Sequence, residues 1–333
     1  MQPFTYVRVR SAADAVRAVA DGGPGTRFLA GGTTLLDLMK LGVETPARLV
    51  DVTGLEDLNT IETAGPGELV FGAMARMADV AADPRLIRDY PALSESLWRA
   101  ASEQLRNMAR VGPNLLQRTR CAYFRFGEPF ACNKRKPGSG CAAQDGLNRG
   151  HALLGGSESC IAVYPGDWAI ALVAFDAQVD VLGREGERTL PVEALHREPG
   201  NTPHLETTVA PEELILRIRI PRTPLGRAST YHKIRDRESY AFALSSAAVA
   251  VRMEEDTIGQ ARVAIGGLAT RPWRCREAER TLAGRTLTPE TARAAGDAAL
   301  RGAKPTRDNR FRIELGARTV ADALMIAAER ARS

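Results

Sequence analysis

The chain has 333 residues, 44% of them hydrophobic and 26% charged, the balance of an ordinary folded protein long enough for two or three domains. No apolar run approaches the ~18 residues of a membrane span, and the opening M-Q-P-F-T-Y-V-R-V-R lacks the apolar centre of a secretory signal. The net charge of +5 comes from 45 basic and 40 acidic residues spread along the chain, so no nucleic-acid-binding block is expected.

In chain order, a short capped helix is predicted over 11–20, followed by strands at 28–29, 49–52 and 69–72 and a long helix over 92–107. The first motif lies at 26–40, where T-R-F-L-A-G-G-T-T-L-L-D-L-M-K runs from an apolar strand through glycines into an amphipathic helix. Gly31 and Gly32 let backbone approach a ligand, and Thr33 and Thr34 offer hydroxyls and a helix cap. Such a junction can direct free N–H groups at an anion such as a diphosphate. It is neither G-x-G-x-x-G nor a P-loop, and many such turns only reverse the chain.

The second motif occupies a stretch with neither helical nor strand periodicity. Cys121, Cys132, Cys141 and Cys160 follow C-x10-C-x8-C-x18-C, while the fifth cysteine, Cys275, stands apart. Four thiolates can enclose one metal centre. Zinc sites commonly begin with a tight C-x2-4-C knuckle, which these wide gaps lack, whereas a 4Fe-4S cluster also takes four cysteines. Disulfides are a third reading, favoured in small secreted domains rather than in a chain of this size with an odd cysteine count. Arg118, Arg120, Arg125, Lys134, Arg135 and Lys136 either offset the charge of a thiolate cluster or form a solvated basic loop. His151, His196, His204 and His232 show no metal-ligand spacing and read as structural or exposed.

Beyond the loop, strands are predicted at 161–163, 178–182 and 213–220, with a short helix at 169–174. The prolines and glycine of 221–227 mark a boundary. After it come 229–235, a helix-like stretch at 241–248, a strand at 262–265 and helices near 274–283, 289–301 and 318–331. Trp98, Trp168, Trp273, Tyr240 and Phe242 are expected to pack in cores. Asp167 reads equally well as a helix N-cap or a ligand contact, and Lys233 locally as part of a solvated face.

These residues carry a resemblance. A-G-G-T-T-L-L-D-L-M-K (30–40), Q-L-R-N (104–107), N-L-L-Q-R-T-R-C (114–121), C-N-K-R-K-P-G-S-G-C-A-A (132–143), E-S-C-I-A (158–162), Y-P-G-D-W-A (164–169), K-I-R-D-R-E-S-Y-A-F-A-L (233–244), G-G-L-A (266–269) and P-W-R (272–274) resemble the FAD-binding medium subunits of the xanthine dehydrogenase, or molybdenum hydroxylase, family. Within it, the chain is most similar to the branch of bacterial periplasmic aldehyde oxidoreductases whose FAD subunit also carries a 4Fe-4S cluster. The resemblance implies an α+β fold. A two-subdomain FAD-binding module at 1–224, with a cluster loop at 118–162, would precede a smaller α+β domain at 225–333 like the CO dehydrogenase flavoprotein C-terminal domain.

The resemblance further implies that Ala30, Gly31, Gly32, Thr33, Thr34, Leu35, Leu36, Asn114, Asp167 and Lys233 contact FAD, and that Cys121, Cys132, Cys141 and Cys160 hold the 4Fe-4S cluster. It implies a heterotrimer with a large molybdenum-cofactor subunit, where aldehyde is oxidised, and a small 2Fe-2S subunit that passes electrons to FAD here and on to an external acceptor. Periplasmic placement would follow from co-export with a signal-bearing partner, with the cytoplasm as the alternative. Two departures stand out. Arg110 to Asn114 reads R-V-G-P-N where the family has threonine, an apolar residue, two glycines and asparagine, and Gly166 replaces a serine. Pro113 has no N–H to offer FAD. The rival readings are a medium subunit acting with a partner on an aromatic thioester or N-heterocycle, and a non-enzymatic flavin-binding protein whose cysteines hold zinc or sense redox state.

Overall fold

Short apolar runs broken by polar turns build three separate sheets in the computed structural model, which describes residues 1–332. The first sheet is parallel, with β1 (Thr5–Arg8), β2 (Thr26–Leu29) and β3 (Arg48–Asp51) in the order β1-β3-β2. Parallel strands need crossovers. The helix Ala12–Gly22 supplies one, started by Ser11, whose Oγ accepts from the Asp14 N–H at 3.0 Å, and the helix Leu35–Lys40 supplies the other.

The second sheet is antiparallel. It comprises β4 (Ile61–Glu62), β5 (Glu68–Gly72), β6 (Gln178–Gly183), β7 (Gly186–Pro191) and β8 (Leu214–Pro221), in the order β4-β5-β8-β6-β7. β8 lies between β5 and β6, so residues 73–177 leave the sheet and return to it. That excursion carries the helices of the first half and the whole cysteine loop. The buried helix Trp168–Ala174 ends it, with the Trp168 ring edge-on to Phe71 of β5 at 5.8 Å.

The third sheet, β9 (Ser229–Ile234), β10 (Ser245–Glu254), β11 (Thr257–Gly266) and β12 (Trp273–Arg274), is antiparallel in the order β12-β11-β10-β9. β8 ends at Pro221 and β9 begins at Ser229, so the proline-rich turn separates the second sheet from the third. The helices Arg276–Leu282, Pro289–Ala299 and Phe311–Arg332 follow. Ala247, Val249 and Val251 of β10 pack in the C-terminal core, whereas Ala248 and Ala250 join the core of the first half.

That two-sided burial corrects the helix-like reading of 241–248. A strand covered on both faces is apolar at every position, so the period-2 signal vanishes. The predicted helix over 92–107 is also broken, into Pro91–Trp98 and Glu103–Met108; Ala101 between them has φ +47°, and Ser102 caps the second piece. Trp98, Tyr240 and Phe242 are exposed rather than in cores. The Arg106 guanidinium lies over the Trp98 ring at 4.9 Å, and that of Arg120 over Phe242 at 4.7 Å. No described helix is long and apolar enough to cross a membrane.

Candidate functional site

β2 ends at Leu29 and the chain turns through 30–34 into the helix Leu35–Lys40. A Cβ on Gly31 would stand 2.0 Å from the Met108 carbonyl oxygen, and Gly32 takes φ +72°, so each position requires glycine for its own reason. The N–H groups of Gly31, Gly32, Thr33 and Thr34 make no hydrogen bond with any described residue. Free amide donors on a tight turn suit an anion.

A cleft of about 440 Å³ opens beside this turn. Ala30, Gly31, Gly32, Thr33, Thr34 and Leu35 form part of its wall, and Arg110, Pro113 and Asn114 another part. Leu36 is exposed and not on the wall. Pro113 is the third residue of the helix Val111–Leu115. An N–H there has no intrahelical partner in any case, so proline is tolerated at that position. Its lost donor is lost to the cleft, not to the helix. The side-chain amide of Asn114 has no protein partner among the described residues. Arg118, Thr119, Lys134, Tyr164 and His196 also line the cleft, and no sequence motif marked them for it.

Asp167 and Lys233 are brought together, but not on this wall. Lys233 Nζ lies 2.9 Å from Asp167 Oδ2 and also donates to the Arg99 carbonyl at 3.0 Å, while the Tyr231 hydroxyl donates to Asp167 Oδ1 at 2.6 Å. The ion pair is buried between the helix Trp168–Ala174 and β9. Asp167 precedes that helix without capping it, because its carboxylate is committed to Tyr231 and Lys233. Lys233 therefore lies on no solvated face.

The cysteine loop is ordered by side-chain to backbone bonds. Cys132 and Cys141 form an isolated antiparallel bridge, as do Ser157 and Cys160. Asn133 Nδ2 donates to the Ser159 carbonyl at 3.0 Å and Gln144 Nε2 to that of Ser157 at 2.9 Å, tying the two bridges together. His151 Nε2 lies 3.2 Å from Cys121 Sγ, a contact that the histidine spacing did not announce. Burial pushes the Cys121 thiol up to about 12, with Cys132 and Cys160 adding to the effect. Burial likewise raises Cys160 to about 11, opposed by Lys134 and reinforced by Cys141 and Cys132. Cys121 and Cys160 thus each feel two other loop cysteines. Among the described residues, however, no three metal-ligating side chains converge on a single-ion site.

The basic residues of this loop are mostly committed. Arg118 pairs with Glu44 and Glu206, Lys134 with Glu206, and Arg120 and Arg125 with Asp37 of the helix Leu35–Lys40. Leu38 of that helix packs with Phe124 and Cys132. One short helix therefore carries the glycine turn at its start and the cysteine loop against its flank. On the far side, the buried Arg312 guanidinium donates to the carbonyls of Arg149, His151, Leu244 and Gly267. Burial, with Arg149 nearby, lowers Arg312 to about 10.

A cleft of free amide donors, on a parallel three-strand unit ahead of an antiparallel sheet, defines a class. The FAD binding domain in molybdopterin dehydrogenase matches residues 2–223, and the CO dehydrogenase flavoprotein C-terminal domain matches 229–327. The chain belongs to the FAD-binding medium subunits of the xanthine dehydrogenase family, which serve oxidoreductase complexes. It is 46% identical to the aldehyde oxidoreductase FAD-binding subunit PaoB of Escherichia coli strain K12, over 97% of this chain and 98% of that one. It is 25% identical to the carbon monoxide dehydrogenase medium chain of Hydrogenophaga pseudoflava, covering 92% of this chain and 89% of that chain. A solved carbon monoxide dehydrogenase from the same organism, lacking the Mo-pyranopterin moiety, matches with TM-score 0.77 over 99% of this chain and 98% of that one. The expected fold class is confirmed.

His196 gives the cleft a pH response. Its Nε2 lies 2.8 Å from the Leu115 carbonyl and its Nδ1 is buried without a partner. Burial lowers its pKa to about 4, only partly offset by that carbonyl. The folded protein thus holds a neutral ring where the unfolded chain, near 6.5, takes up a proton, so stability falls as pH drops below about 6.5 and the loss levels off below about 4. By pH 5 this one group is expected to cost about 2 kcal/mol relative to pH 8. Urea unfolding of wild type and His196→Gln at both pH values checks this: the variant should lose less stability on acidification, and equal losses would contradict it.

Proposed function

We propose that this chain is the FAD- and 4Fe-4S-bearing electron-transfer subunit of a molybdenum-dependent aldehyde oxidoreductase. It would work with a large molybdenum-cofactor subunit and a small 2Fe-2S subunit, passing electrons on to an external acceptor. FAD, when bound, supplies the redox chemistry that links one-electron iron-sulfur partners to a two-electron acceptor. The residues of this chain would hold it: the free amides of 31–34 would receive the diphosphate, with Asn114 on another part of the cleft wall. Contacts of Asp167 and Lys233 with FAD also belong to the proposal, as does a domain division at 224/225.

The observation that carries the reading is the four-thiol loop set against the helix that begins at the glycine turn. Burial holds the Cys121 and Cys160 thiols up, each with two other loop cysteines adding to the effect. A tetrahedral zinc site would require sulfurs about 3.8 Å apart, at ~2.3 Å from the metal. A 4Fe-4S cluster would take the same four thiolates, one at each ligated iron. Resemblance to the PaoB branch supports the aldehyde substrate class, and co-export to the periplasm is part of the same reading. Purified alone, the chain is expected to be a yellow-brown flavoprotein that oxidises no aldehyde, with oxidation restored by the two partner subunits. Strong aldehyde oxidation by the chain alone would refute the assignment.

A further inference from the structure

Among the described residues two cations of the cleft, Arg110 and Arg197, pair with no carboxylate, and of these only Arg110 is half-buried. Arg27 pairs with Glu44, Arg118 with Glu44 and Glu206, and Lys134 with Glu206, while Arg197 is exposed to solvent. The third cleft carboxylate, Glu213, is taken by Arg188. Arg110 differs from all of these. Its Nη1 donates to the Met74 carbonyl at 2.8 Å, its Nε is buried with no partner, and among the described residues no carboxylate lies within 4 Å. Burial, together with the neighbouring Arg76, disfavours its charge, and Asp79 only partly compensates. A half-buried guanidinium without a counter-ion is costly unless a ligand brings one.

The backbone places Arg110 beside the glycine turn. Gly31 packs directly on the Met108 carbonyl and the Ala109 Cα, and Arg110 is the next residue. Arg110 is also held by the chain pairing around it: it bridges Arg76, and the Val111 N–H donates to the Ala75 carbonyl at 3.0 Å. Arg110 and the four unpaired amides of 31–34 therefore line one cleft whose three carboxylates, Glu44, Glu206 and Glu213, are each paired with another arginine or lysine. We propose that Arg110 is the counter-ion of the cofactor's diphosphate, a charged contact standing where the family pattern has a threonine hydroxyl and offsetting the donor removed by Pro113. This rests on the assignment of the cleft to FAD. It makes Arg110 a binding residue, with no part in the electron transfer itself.

The test uses the full chain stripped of flavin, titrated with FAD, ADP and riboflavin by flavin fluorescence and calorimetry. Arg110→Gln keeps a donor for Met74 and removes the charge. It is expected to weaken FAD and ADP by roughly 10- to 100-fold, the size of a charge-assisted hydrogen bond, and to weaken riboflavin, which has no phosphate, by less than about 3-fold. Arg110→Lys, which keeps the charge without the planar fork, should fall between wild type and Arg110→Gln. Added salt should weaken FAD binding to wild type more than to the variant. Unchanged FAD affinity in both variants would overturn the proposal, as would an equal loss for riboflavin, which would place Arg110 against the flavin ring. Failure of the wild-type chain to bind FAD would instead refute the FAD reading of the cleft.

Discussion

Replacing Cys132 with serine is expected to remove the iron, from about four atoms per chain to well under one. Cys132 is buried against Leu38 and Phe124, and its backbone bridge to Cys141 shapes the loop. A serine oxygen is a poor substitute for a soft thiolate. Burial also keeps the Cys121 and Cys160 thiols protonated on their own, so only a metal centre gives the loop reason to hold them ionised. Cys121→Ser, Cys141→Ser and Cys160→Ser should behave alike. Cys275, buried in the C-terminal core among Ala278 and Leu282, is the control, and Cys275→Ser should retain full iron. Iron and acid-labile sulfide analysis checks the series; retained iron in any two of the four loop variants would exclude a four-cysteine cluster.

Lys233→Met is expected to destabilise the protein by about 3–5 kcal/mol, because it leaves the Asp167 carboxylate buried and unpaired between the two halves of the molecule. The Tyr231 hydroxyl still donates to Asp167, but a neutral donor does not replace an ammonium. The melting temperature should fall by about 4–7 °C. Adding Asp167→Asn to Lys233→Met should recover part of the loss, since the orphaned charge then disappears. Thermal melts of Lys233→Met, Asp167→Asn and the double variant check the cycle. A single variant as stable as wild type would show that the ion pair does not hold the halves together.

Much of the fold was legible where one local signal dominated. The strand-turn-helix at 26–40, the helix beginning near Ala12 and the end of β8 at Pro221 rest on capping, glycine and proline rules. β10 was misread because apolar burial on both faces erases the alternation that identifies a strand. β1 escaped notice because its side chains are mostly exposed, and its identity comes from pairing with β3. The site divides in the same way. The glycine turn and the cysteines carry patterns of their own, whereas the contact of His151 with Cys121 follows no spacing rule and the ion pair of Asp167 with Lys233 joins residues far apart in the chain. Arg110 was visible only as a departure from the family pattern, and its missing counter-ion is a property of the folded cleft.

The measurement that bears most directly on the whole account is the cofactor content of the purified wild-type chain, by metal, sulfide and flavin analysis of one sample. About four iron atoms, four acid-labile sulfides and one FAD per chain is the expected result. Stoichiometric zinc without sulfide, or iron without flavin, would contradict it.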